Sequence, residues 1–183
     1  SSLQNIEMFD LDVLYDDESV NHPWQKLLNL SRSDTDKPLG TKQVITYFEQ
    51  LNGKLLVMGA PGAGKTTMLL TLTEELLYRA SLDPAYPIPV VLNLSSWSQT
   101  RSSLDQWLED ELHIKYQTPR RVASDWIERD QLTLMLDGLD EVDSRYRDDC
   151  VDAINAYRDI HGFVDIVLCC RTHEYQELLN KVM

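Results

Sequence analysis

The chain has 183 residues, 43% apolar and 26% charged, enough for one domain with a real core and ordinary for a globular protein. Its formal charge of −13 argues against a broad nucleic-acid face, which would need a basic stripe to replace phosphate counterions. No apolar run approaches the roughly 18 residues of a membrane span, and the N-terminus lacks the basic-then-apolar form of a secretion signal. Three cysteines, Cys150, Cys169 and Cys170, are too few and odd in number for a disulfide framework, and no Cys-x-x-Cys pair or His/Cys cluster has zinc spacing. The expectation is a cytoplasmic protein without nucleic-acid or membrane partners.

Residues 1–40 read as an N-terminal arm or linker, with an acidic run and then the polar stretch Ser31 to Pro38. From Thr41, the helical spacing of Val44, Ile45, Phe48 and Leu51 predicts an amphipathic helix over 41–51, ended by Asn52-Gly53. Leu55 to Met58 is a short unbroken apolar run, the mark of a strand buried on both faces. A glycine-rich turn follows, then a helix with Leu69, Leu72, Leu76 and Ala80 on one face, stopped before Pro84. Ile88 to Leu94 is the second strand, and Pro87 and Pro89 put its start at a sheet edge or entry.

Ser103 to Gln106 has the form of a capping box, backed by Leu104, Trp107, Leu108 and Leu112. Thr118-Pro119 opens another helix, with proline in its first turn and Val122, Trp126 and Ile127 on its apolar face. Leu132 to Leu136 is the third strand, ending in Asp137-Gly138-Leu139-Asp140-Glu141. Cys150, Ile154 and Tyr157 mark a helix closed by Gly162; Ile166 to Cys170 is the fourth strand, ending in Arg171-Thr172-His173, and a last helix starts near Tyr175. Alternating strands and helices predict an α/β fold: a mostly parallel sheet with helices on both faces. Loops after parallel strands share one sheet edge, where ligands bind, so three polar clusters should converge there.

The first cluster is Gly59-Ala60-Pro61-Gly62-Ala63-Gly64-Lys65-Thr66, with Thr67 behind it. Its glycines let the backbone turn N–H groups onto phosphate oxygens, and the helix that follows adds its positive end. Lys65 can reach the β- and γ-phosphates, and the Thr66 hydroxyl can bind Mg²⁺. In the second cluster, Asp137 ends an apolar strand where a metal ligand is needed. Asp140 or Glu141 could orient and deprotonate a water; the bland reading is an acidic turn capping a helix. In the third, Arg171 at a strand end could touch the γ-phosphate, the bland reading being a surface ion pair. His173 has no pattern behind it, nor have His22, His113 and His161. Trp24, Trp97, Trp107 and Trp126 read as packing residues.

GAPGAGKTT (59–67), LMLDGLDEV (134–142) and CCRTHEY (169–175), in this order, resemble the NACHT nucleoside triphosphatases of bacterial type, members of the signal-transducing switch ATPases. The middle motif is the most specific, because AAA+ machines instead place Asp-Glu directly after the strand. The resemblance implies a P-loop NTPase three-layer sandwich over 41–183. It implies ATP/ADP or GTP/GDP with Mg²⁺ as cofactors, phosphate held by 59–67, and Mg²⁺ supported by Thr66 and Asp137. Asp140 with Glu141 would prepare the water, and Arg171 would read the γ-phosphate. ATP is favoured over GTP because no Asn-Lys-x-Asp motif is present. Family members toggle between a closed ADP-bound monomer and an open oligomeric signalling form, with sensor and effector domains in the same chain; bacterial relatives include antiphage defence proteins.

In the family a further strand, a small helical domain and a winged-helix domain follow the arginine motif. The expectation is therefore a nucleotide-binding domain truncated at its C-terminus, slow or inactive in hydrolysis by itself. In related folds the further strand pairs beside the phosphate-loop strand, so Leu55–Met58 is expected at an open edge prone to self-association. Three rivals stand beside the switch: a small-molecule kinase, which would need an acceptor pocket and lid; a non-hydrolysing nucleotide-binding scaffold; and an AAA+ motor, whose arginine finger no pattern supplies.

Overall fold

In a computed structural model of the protein, residues 41–171 and 173–174 are described. The arm predicted over 1–40 and the helix predicted from Tyr175 lie outside them. The elements run α1 (Thr41–Gln50), β1 (Lys54–Met58), α2 (Lys65–Leu82), β2 (Ile88–Asn93), a 3₁₀ turn (Leu94–Ser96), α3 (Trp97–Thr100), α4 (Leu104–Tyr116), α5 (Arg120–Glu128), β3 (Leu132–Asp137), a 3₁₀ turn (Leu139–Glu141), α6 (Arg147–Ile160) and β4 (Asp165–Cys170).

The four strands form one all-parallel sheet in the order β1-β4-β3-β2. Side chains of successive strand residues point to opposite faces, and both faces are buried. Leu55 and Val57 of β1, Met135 of β3 and Val167 and Cys169 of β4 pack under α1 and α2, against Phe48, Leu69, Leu72 and Leu76. Their neighbours Leu56, Met58, Leu134, Leu136, Ile166, Leu168 and Cys170 face the other way, into a larger core with Trp107, Leu108 and Leu112 of α4, Ile127 of α5 and Ile154 and Tyr157 of α6. Two cores, one on each face of the sheet, make an α/β arrangement compatible with a three-layer sandwich.

Local chemistry sets the element ends. Asn52 and Gly53 both take positive φ, at 49° and 71°, and the Gly53 N–H donates to the Phe48 carbonyl at 2.9 Å, which closes α1. Ser103 caps α4 by accepting from the Gln106 N–H at 3.4 Å. Pro119 stands one position before the first residue of α5, as its cap, rather than inside the first turn. The apolar face of α5 also differs from the expectation: Ala123 and Ile127 are buried, whereas Val122 is exposed. Ala123 and Ile127, four residues apart, share one face of the helix, and Val122 lies a step around from it.

Pro89 lies in β2, a terminal strand of the described sheet, where a missing N–H costs nothing. On its outer side the Tyr116 hydroxyl accepts from the Val91 N–H at 2.8 Å and donates to the Val91 carbonyl at 3.1 Å. One side chain thereby occupies a donor and an acceptor that an added strand would use. Among the described strands, β1 is the other terminal one and pairs only with β4.

Candidate functional site

All three polar clusters leave the sheet at its C-terminal edge, each following a strand. Gly59 follows β1, Gly138 follows β3 and Arg171 follows β4. In the glycine-rich turn, Gly62 and Gly64 adopt φ of 79° and 84°, values that suit residues without a Cβ. Gly64 caps α2 and offers no side chain to the helix's first N–H groups. Those N–H groups are therefore left to whatever sits in the turn. The Lys65 ammonium folds back over the turn and donates to the carbonyls of Gly59 at 2.9 Å and Ala60 at 3.0 Å. Ala63 is buried beneath, and Ala60, Pro61, Thr66 and Thr67 are exposed.

The Thr66 hydroxyl donates to Asp137 Oδ2 at 2.8 Å, joining the first and second clusters across 71 residues of sequence. These are two hard oxygen donors. Among the described residues no group of three His, Cys, Asp or Glu side chains gathers that could hold a metal by itself. Mg²⁺ does not need such a cage, since it usually takes one or two protein oxygens and keeps several waters, so the pair fits that ion.

The Arg171 Nε lies 2.7 Å from Asp140 Oδ2, with the carboxylate nearly buried and the guanidinium half exposed, so the second and third clusters also meet. Glu141 is exposed and directed differently: its Oε2 accepts from the Asn93 amide at 2.8 Å. Of the residues predicted for the site, then, Thr66 with Asp137 and Asp140 with Arg171 are in direct contact. Lys65 bonds its own turn, and His173 is exposed.

Two residues at this edge escape sequence reasoning. Asn93 ends β2 and is aligned with Asp137 of β3, so the pairing register brings it to the acidic turn. A polar residue closing an apolar strand was the available signal. Arg147, the first residue of α6, is buried, and its Nη2 donates to the carbonyls of Asp140 at 3.0 Å and Val142 at 3.2 Å. It looks like one more surface arginine in a polar stretch, and no sequence pattern separates it from the rest.

Charge is locally balanced: Lys65, Arg147 and Arg171 stand among Asp137, Asp140 and Glu141 in a strongly acidic chain. Burial pushes the Cys169 thiol well above its ordinary range, helped by Asp137, and pushes the Cys170 thiol up to about 12. Both stay protonated and inert beneath the site. The arrangement thus offers N–H groups, an ammonium and a guanidinium for an anion, an oxygen pair for a hard cation, and two further carboxylates. Among known proteins, no family model matches the chain, and neither a curated protein nor a solved structure is significantly similar to it.

Proposed function

We propose that the chain is the nucleotide-binding domain of a NACHT-type nucleoside triphosphatase with the three-layer P-loop fold, in which Mg²⁺-dependent hydrolysis drives a conformational signalling switch. The observation that carries this reading is the 2.8 Å contact between Thr66 and Asp137. It sets the glycine-rich turn, a hard-cation oxygen pair and an acidic turn at one edge of a parallel sheet, as a triphosphate with its metal requires. ATP is preferred over GTP. The turn 59–64, Lys65 and Thr67 would hold the phosphates. Thr66 and Asp137 would hold Mg²⁺, which when bound neutralises phosphate charge.

Asp140 and Glu141 follow Asp137 in the same acidic turn, and one of these carboxylates would orient a water toward the γ-phosphate and accept its proton. Arg171 is ion-paired with Asp140. A γ-phosphate would compete for the same guanidinium, so nucleotide binding would release Asp140 at the moment it is needed. That exchange ties the bound nucleotide to the conformation of the β3 and β4 loops.

The test has two parts. Purified protein is extracted and its nucleotide identified, with ADP the expected product. The fluorescent-ATP affinity of Lys65→Ala is then compared with that of the unchanged protein. The expected loss is 100-fold or more, with an unchanged melting temperature, because Lys65 bonds only its own turn. Equal affinity would sink the assignment. The Arg171–Asp140 pair also favours a second reading, a scaffold that binds nucleotide without hydrolysing it, because the acid is already engaged. Phosphate release under single-turnover conditions separates the two.

A further inference from the structure

We propose that Asn93 is a positioning residue for Glu141, holding one oxygen of its carboxylate so that the other faces the reacting water; this rests on the hydrolytic reading above. Glu141 is an exposed side chain, and an unrestrained glutamate would spread over many rotamers. Its backbone is already fixed, because Arg147 donates to the carbonyls of Asp140 and Val142 on either side of it. The freedom that remains is in the side chain, and there Asn93 acts. The Asn93 Nδ2 donates to Glu141 Oε2 at 2.8 Å.

The direction of that amide is set independently. Asn93 Oδ1 accepts from the Ser95 N–H at 2.8 Å as the cap of the 3₁₀ turn that follows β2. The opposite orientation would face an oxygen to the carboxylate and an NH₂ to an N–H. Gly138 supplies the space: a Cβ on it would lie 2.9 Å from Glu141 Oε2 and 3.1 Å from Asn93 Nδ2. A left-handed glycine and an amide of fixed direction thus meet one exposed carboxylate, and a buried arginine holds the backbone on either side of it. The arrangement leaves Oε1 of Glu141 without a role in the hold.

Asn93→Asp tests this, because it keeps the size and the oxygen that caps Ser95 but replaces the donor facing Glu141 with an acceptor. In an active wild-type protein we expect kcat to fall about 10–100-fold, with nucleotide affinity and melting temperature little changed. In a Glu141→Gln background the same change should give no further loss, since positioning matters only for the group positioned. An unchanged kcat, or additive losses, overturns the proposal. The side-chain amide pair of Asn93, identified in nitrogen-15 spectra of the full chain by its loss in Asn93→Asp, should move on Glu141→Gln. An amide pair that does not move also overturns it. If the wild-type protein releases no phosphate, the hydrolytic reading fails, and the amide pair alone then decides whether Asn93 holds Glu141.

Discussion

Single side chains in this protein carry costs that their neighbours explain. Asp165 opens β4 directly over Gly53, where a Cβ on the glycine would collide with its carboxyl. Burial pushes that carboxyl from an ordinary 3.8 up to about 6, against the opposing pull of Lys54. The sign follows from linkage. Below about pH 4 the group is protonated in both folded and unfolded chains and costs nothing. Above about pH 6 the folded chain must carry the charge in a poorly solvated place, so stability falls as pH rises through that window. Asp165→Asn should therefore raise stability at pH 7 by on the order of 1–2 kcal/mol, discounted for solvent access. The gain should vanish below pH 4, as read from urea midpoints at the two pH values.

His161 shows the opposite case, a polar group well provided for. Its ring is stacked on Tyr157 at 4.3 Å between centroids, with Nδ1 2.6 Å from Asp130 and Nε2 3.2 Å from Asp105. One imidazole joins the start of α4, the turn before β3 and the end of α6. Its partners lie 31 and 56 residues away in sequence, which is why no local pattern marks it. Asn93 is hidden for the same reason, 48 residues from Glu141. The glycine-rich turn, by contrast, is legible because all its requirements are contiguous: glycines that reach positive φ, then a lysine and a threonine opening a helix.

Elements are legible where one period dominates. Leu55–Met58 and Ile166–Cys170 are unbroken apolar runs, Leu132–Leu136 is interrupted only by the buried Thr133, and each forms the strand it predicts, because a strand buried on both faces needs little polar alternation. The four-residue helix α3 is not marked by any period. It forms because the chain leaving β2 must turn under Trp97, which is buried and donates its indole N–H to the Ser102 carbonyl at 3.0 Å. Edge protection is likewise invisible in sequence. Tyr116 ends α4, and only packing brings its hydroxyl to Val91. Tyr116→Phe should cost about 1 kcal/mol through the unmet Val91 groups. The same variant should increase self-association along β2, measured by light scattering during mild heating; no increase would remove Tyr116 from this role.

At the scale of the molecule, the two sheet edges are unequal among the described residues. β2 is guarded by Tyr116, whereas β1 presents its outer side without such a contact. Sedimentation velocity over a hundredfold range of protein concentration should show weak, concentration-dependent dimerisation, stronger than any change the β2 edge produces. A strictly monomeric profile at the highest concentration would count against a sticky β1 edge.

The sequence by itself determined the succession along the chain of the four strands and the longer helices between them, the two-face burial of Leu55–Met58 and the residue types of the three clusters, since each depends on neighbours within a few residues. That the clusters share an edge was inferable from parallel topology. Only the tertiary structure decided which groups touch: Thr66 with Asp137, Arg171 with Asp140, and Asn93 with Glu141. The reason is geometric. Hydrogen bonds and ion pairs act over about 3 Å, and strand order and register, fixed by packing of the whole sheet, bring residues tens of positions apart to that distance.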